Sequence, residues 1–217
     1  MEELRERERS VVIIGNLSLL SANNKLYLDN KYRQFFNGNF SNSIITAPAQ
    51  YSFLFDKVRI NFLQNPVRQE GRMVCSYIDN NGIDSERYSN FLKFVGAVYT
   101  DLQQAVNIVG FNYKIDKDRT PQEENINNFF KNDFVNTISM DCVAITLAKN
   151  CEDYILNIIF SKAETISSHQ QAWLADVNCE YRAEKINTNI FDNKHEKERR
   201  EIIDNKIRIL FADGSNE

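Results

Sequence analysis

One order of elements is written twice along this chain. Val106-Asn-Ile-Val-Gly110 echoes Val11-Val-Ile-Ile-Gly15 at an offset of 95 residues, and Phe129-Phe-Lys-Asn-Asp-Phe134 echoes Phe35-Phe-Asn-Gly-Asn-Phe40 at an offset of 94. In the first half, residues 11–20 are apolar enough for a buried strand and 28–36 suit a short helix. Two runs within 50–64 alternate with period two, Tyr51, Phe53, Phe55 and then Val58, Ile60, Phe62, as a sheet with one buried face requires. Residues 72–78 read as a further strand, stopped by the turn signal Asp79-Asn80-Asn81-Gly82. Tyr88, Phe91, Leu92, Val95, Val98, Tyr99 and Leu102 then fall on one stripe of a helix capped by Asp84 or Ser85. In the second half the echoes are followed by strand candidates at 137–149, 153–163 and 171–182. A closing helix over 193–211 has Ile202, Ile203, Ile207, Leu210 and Phe211 on its apolar side. Each half, 1–104 and 105–217, reads strand, helix, three strands, helix, the two packed as one compact unit.

Either half alone leaves a sheet face and a helix stripe uncovered. Joined along edge strands, they make one continuous antiparallel sheet with the long helices on a single face and the other face open, an α+β fold. This layout resembles the duplicated saddle, or helix-grip, folds, of which the two-repeat sheet of the TATA-binding protein is the best known; the likeness is one of architecture. The run Val109-Gly-Phe-Asn-Tyr113 after an amphipathic helix, the strand at 154–160, the segment Trp173-Leu-Ala-Asp176 and the final helix are together similar to a sporadically distributed bacterial family of uncharacterised proteins. That resemblance spans residues 84–211 and implies no activity.

The amino-terminal residues 1–9 alternate acids with arginines and lack the apolar stretch of a secretory signal. No apolar run approaches the roughly 18 residues that cross a bilayer. Both features predict a cytoplasmic chain. Cys75, Cys142, Cys151 and Cys179 are spread without paired metal spacing and read as free thiols, with a Cys142–Cys151 hairpin bridge as the alternative. An unusual abundance of Asn, with Ile and Lys, suggests an AT-rich bacterial or phage genome. A net charge of -4 and an isoelectric point near 5.4 give no whole-chain field to hold duplex nucleic acid. With only His169 and His195, and with no GxSxG, GxxxxGKS or GxGxxG, triad hydrolysis and phosphate-loop chemistry are disfavoured. A metal nuclease would need carboxylates such as Asp141, Asp153, Asp176 and Glu180 to converge. No cofactor is expected.

Polar residues on strands are the informative group, because a strand buried on both faces does not carry them. Asp176, Asn178 and Glu180, with Leu174, oppose the face of Trp173, Ala175, Val177, Cys179 and Tyr181. By the same alternation Arg59 and Asn61 oppose Val58, Ile60 and Phe62, and Asn112 and Lys114 oppose Val109, Phe111, Tyr113 and Ile115. Such a face is either a solvated surface with ordinary cross-strand pairs or a recognition surface for a protein or small ligand. A basic patch around Arg59, Arg68, Arg72 and Arg87 is partly cancelled by Asp56, Glu70 and Glu86, so nucleic acid is a minor candidate. The charged runs 2–9 and 194–200 read as solvated helix turns laced by i,i+4 pairs, or as docking arms. The expectation is a non-enzymatic protein-interaction module, its partner another protein or a second copy of itself. It would suit an accessory component of a bacterial or phage conflict system. The alternative is a small-ligand or nucleic-acid binder using the open sheet face or the groove between sheet and helices.

Overall fold

The computed structural model describes residues 5–17, 24–36, 43–47, 50–55, 57–65, 70–79, 83–118, 144–164 and 171–211. They form a mixed α+β structure around one antiparallel sheet. In chain order the elements are β1 (Arg5–Gly15), α1 (Asn24–Phe35), β2 (Ser43–Ala47), β3 (Gln50–Phe55), β4 (Val58–Asn65), β5 (Glu70–Ile78) and α2 (Ser85–Leu102). There follow β6 (Val106–Asp118), β7 (Ala144–Asn150), β8 (Ile155–Glu164), β9 (Gln171–Arg182) and α3 (Asn193–Phe211). The nine strands lie in the order β2-β3-β4-β5-β1-β6-β9-β8-β7, so the sheet's middle is the β1–β6 pair.

The pleat sorts the strand residues by polarity. Val11 and Ile13 on β1, Met73, Cys75 and Tyr77 on β5, and Trp173, Val177 and Tyr181 on β9 are buried on one face, while Arg59 and Arg72 are exposed on the other. The expected stripe of α2 is wholly buried, each large side chain contributing roughly 1.5–3 kcal/mol. Asp84 caps this helix, accepting the backbone N–H of Glu86 and of Arg87, both at 3.0 Å. On the core side, Tyr32 of α1 stacks on Phe55 at 4.2 Å and Tyr88 of α2 meets Tyr77 edge-on at 5.8 Å; the Arg199 guanidinium of α3 lies 3.7 Å above the ring of Phe111. Cys75 and Cys179 are free and buried, and burial pushes the Cys179 thiol up to about 12. Cys151 is free and half-buried.

Three expectations are corrected. The first strand is not residues 11–20 preceded by a charged arm in helical turns: residues 5–9 are strand, paired with β6 and, at Glu8 and Arg9, with β5 as well. A register shift between Glu6 and Glu8 turns Glu6 to the core side beside Arg9, so the two charges neutralise each other instead of facing water. The second correction is that four strands, not three, follow α1. Ser43–Ala47 is a short strand against β3, too brief to show a period. Third, the run 194–200 is only partly solvated. Lys194–Glu198 and Lys197–Glu201 are exposed i,i+4 pairs, whereas Glu196 and Arg199 point into the core. The Phe129–Phe134 echo, Asn80 to Gly82, Arg68, Asp141, Cys142 and His169 lie outside the described residues.

Candidate functional site

On the face away from Val11 and Ile13, strand register lines up a row of short polar side chains. Ser76 on β5 stands opposite Ser10 on β1, Ser10 opposite Asn112 on β6, Asn112 opposite Asn178 on β9, and Asn178 opposite Asn157 on β8. The Asn178 amide donates to Asn112 Oδ1 at 2.7 Å, and the Asn112 amide reaches Ser10 Oγ at 3.4 Å. Gly110 makes room for this arrangement: a Cβ there would stand 2.9 Å from Asn178 Nδ2. Arg59 extends the row at its β4 end, opposite Ser76, and is exposed. Asn61, on the same face of β4, accepts a hydrogen bond from Ser52 Oγ at 2.8 Å.

Charges flank the row. Lys114 pairs across strands with Asp176 on one side and stands beside Glu8 on the other, its ammonium 3.5 Å from the Glu8 carboxylate. Half-burial pushes the Asp176 carboxyl up; Lys114 opposes this and Glu8 adds to it. Glu180 holds Arg182 at 3.0 Å, and Arg5 meets Asp116 at 3.2 Å. The structure thus brings Asn112, Lys114, Asp176 and Asn178 together on β6 and β9, with Glu180 on the same face opposite Gly110. It does not bring Arg59 and Asn61 to them. Two strands intervene between β4 and β6, a separation of roughly 14 Å. Among the described residues, the large exposed apolar side chains on this face are Leu54 and Leu63 toward one edge and Ile159 toward the other.

A second polar cluster lies on the core side, and the sequence reading missed it. Glu196 Oε2 accepts hydrogen bonds from the Tyr113 hydroxyl at 2.8 Å and from Arg199 Nη2 at 2.9 Å. Arg199 also donates to the Tyr113 oxygen (3.2 Å), the Tyr181 oxygen (3.3 Å) and the Ile190 carbonyl (2.8 Å). Arg9 links the cluster to β1, donating to Glu196 Oε1 at 3.2 Å and twice to Glu6 at 2.8 Å. Burial by itself lowers the Arg199 pKa, but Tyr113, Glu196 and Tyr181 outweigh it and hold the guanidinium charged. Burial, reinforced by Glu196, raises the Tyr113 phenol well above its usual range. With every Arg199 nitrogen committed to the protein, this cluster fastens the last helix to the first strand. The available signal was Arg9, which stands in period two with Val11 and Ile13; Glu6 reaches the same side only through the register shift between Glu6 and Glu8.

Among the described residues, no three His, Cys, Asp or Glu side chains are placed to hold a metal ion, so Asp153, Asp176 and Glu180 do not converge. His195 sits at the start of α3 with Nδ1 2.9 Å from Asp192. No described helix is long and apolar enough to cross a membrane. No protein-family model matches the chain, and no curated protein matches it.

Proposed function

We propose that the protein is a cytoplasmic binding module that recognises a protein, a second copy of itself, through the outward face of the sheet by shape and charge, without bond chemistry. The observation that carries this reading is the sorting of aromatics. The described aromatic strand residues with assigned burial, from Phe53 on β3 to Tyr181 on β9, are buried on the core face. That leaves the outward face with amides, hydroxyls, paired charges and exposed aliphatics. Such a mixture suits a protein interface and gives bases no stacking platform.

The face also has polarity. β4 and β5 carry Arg59, Arg72 and Glu70, whereas β9 carries Asp176, Glu180 and Arg182. A second copy turned about an axis parallel to β1 and β6 sets the basic side of each copy over the acidic side of the other. Nine strands spaced about 4.8 Å apart, each presenting about 20 Å of length, offer roughly 800 Å², one partner's share of a standard interface.

This reading includes a duplicated saddle with the long helices on one face. At an offset of 108, the caps Asp84 and Asp192 correspond, and the buried Tyr88, Phe91, Val95 and Tyr99 of α2 match the buried Glu196, Arg199, Ile203 and Ile207 of α3. In strand order, β1 lies beside β5 and β6 beside β9. The offset of 95 fits less well, since it carries the core-facing Ile13 onto half-buried Ile108 of the opposite face.

Charge-swapped variants test the interface. Arg59→Glu/Arg72→Glu and Asp176→Lys/Glu180→Lys should each sediment as monomers, and an equimolar mixture should recover the dimer. Monomeric wild-type protein, or swaps without effect on mass, would contradict the reading.

A further inference from the structure

The first turns of α2 and α3 converge on a groove of about 510 Å³. Tyr88 and Glu196, the buried members of its lining, form the floor with half-buried Arg9; Lys93 on α2 and Lys197 on α3 are exposed at its sides, with Glu86 as the exposed acid. Asn193 donates to Ser89 Oγ at 3.0 Å and so ties the two helices together at the rim.

Two groups on the floor have hydrogen-bonding capacity that the protein leaves unused. Tyr88 is 4% exposed, yet its hydroxyl makes no hydrogen bond among the described residues, while its ring is fixed by Tyr77, Phe91 and the Arg9 guanidinium 4.4 Å above it. Burial raises the Tyr88 pKa well above its usual range, so the hydroxyl is a donor at neutral pH. Arg9 gives three hydrogen bonds, two to Glu6 and one to Glu196, out of the five a guanidinium can make. Glu196 already accepts from Tyr113, Arg199 and Arg9, three of the roughly four bonds a carboxylate can accept. The floor therefore keeps open donors on Tyr88 and Arg9, the positive ends of two long helices face the same space, and Lys93 flanks it with Lys197, whose ammonium lies 4.0 Å from Glu201. Asp84 and Asp192 cap part of each helix end and leave the floor donors free.

We propose that this groove binds a small molecule through an oxyanion, a phosphate or a carboxylate, that accepts from the Tyr88 hydroxyl and the open N–H groups of Arg9. The volume suits a metabolite-sized ligand. The site is separate from the outward sheet face, and its test is independent of self-association.

Inorganic phosphate and citrate are titrated separately at constant ionic strength, with chloride as the control, and followed by thermal unfolding and calorimetry. At saturation one or both should raise the melting temperature by several degrees, and which one does so distinguishes phosphate from carboxylate recognition. Tyr88→Phe keeps the packed ring and removes only the unpartnered hydroxyl. It should leave the unliganded melting temperature unchanged and weaken binding roughly tenfold. Lys93→Ala, at an exposed position, gives the same reading should Tyr88→Phe lose its fold. Absence of any shift beyond chloride, or binding unchanged in these variants, overturns the proposal.

Discussion

Individual positions in this protein differ in how much their neighbours can yield. A Cβ on Gly15 would stand 1.9 Å from the Ala105 carbonyl oxygen, the same oxygen that accepts the Asn16 N–H at 2.8 Å. Backbone cannot move aside cheaply, so Gly15→Ala should cost about 3 kcal/mol or more by urea denaturation. Gly110→Ala meets only the mobile amide of Asn178 and should cost about 1 kcal/mol, the value of the Asn178–Asn112 bond it breaks. Arg199 is 1% exposed, and replacing it by Ala leaves Glu196 with Arg9 and Tyr113 but without its closest cation; a loss of about 3 kcal/mol is expected in the same measurement. Asp176 behaves in the opposite sense. Its pKa is raised in the folded chain, so the folded state holds the proton more tightly and loses stability as pH rises from the unfolded value through the folded one. Asp176→Asn should therefore have the higher urea midpoint at neutral pH, an advantage that vanishes once both states are protonated.

Among the elements, α3 at 193–211 and β9 at 171–182 were legible to the residue, and α2 nearly so, because each pairs a clean period with a clear stop. The start of β1 was not. Five charged residues in sequence look like surface, and only the partners supplied by α3 from the far end of the chain let Arg9 and Glu6 lie inside. The candidate site divides in the same way. Period two alone showed that Asn112 and Lys114 share one face of their strand and Asp176 and Asn178 one face of theirs, but that they touch depends on β6 pairing with β9. Ser10 and Ser76 join the polar row only because β1 lies between β5 and β6, a long-range pairing that no local pattern encodes. Deleting residues 1–9 discriminates the two views of this element. A solvated arm would leave the melting temperature unchanged, whereas loss of the residues that pair with β6, and of Arg9 that links β1 to Glu196, should lower it by many degrees.

At the scale of the whole molecule, the core takes the aromatics and the charge network that joins first strand to last helix, and the other side of the sheet keeps a mixed polar surface with opposite charge at its two sides. The proposed association through this face is sensitive to salt, since its exposed ion pairs are screened as ionic strength rises. The most direct test is the solution mass by light scattering across a concentration series at low and high salt. The account expects twice the 25.3 kDa of the chain at low salt, falling toward the monomer at high salt and for Ile159→Arg. A mass of one chain at every concentration, or a dimer indifferent to Ile159→Arg, would contradict it.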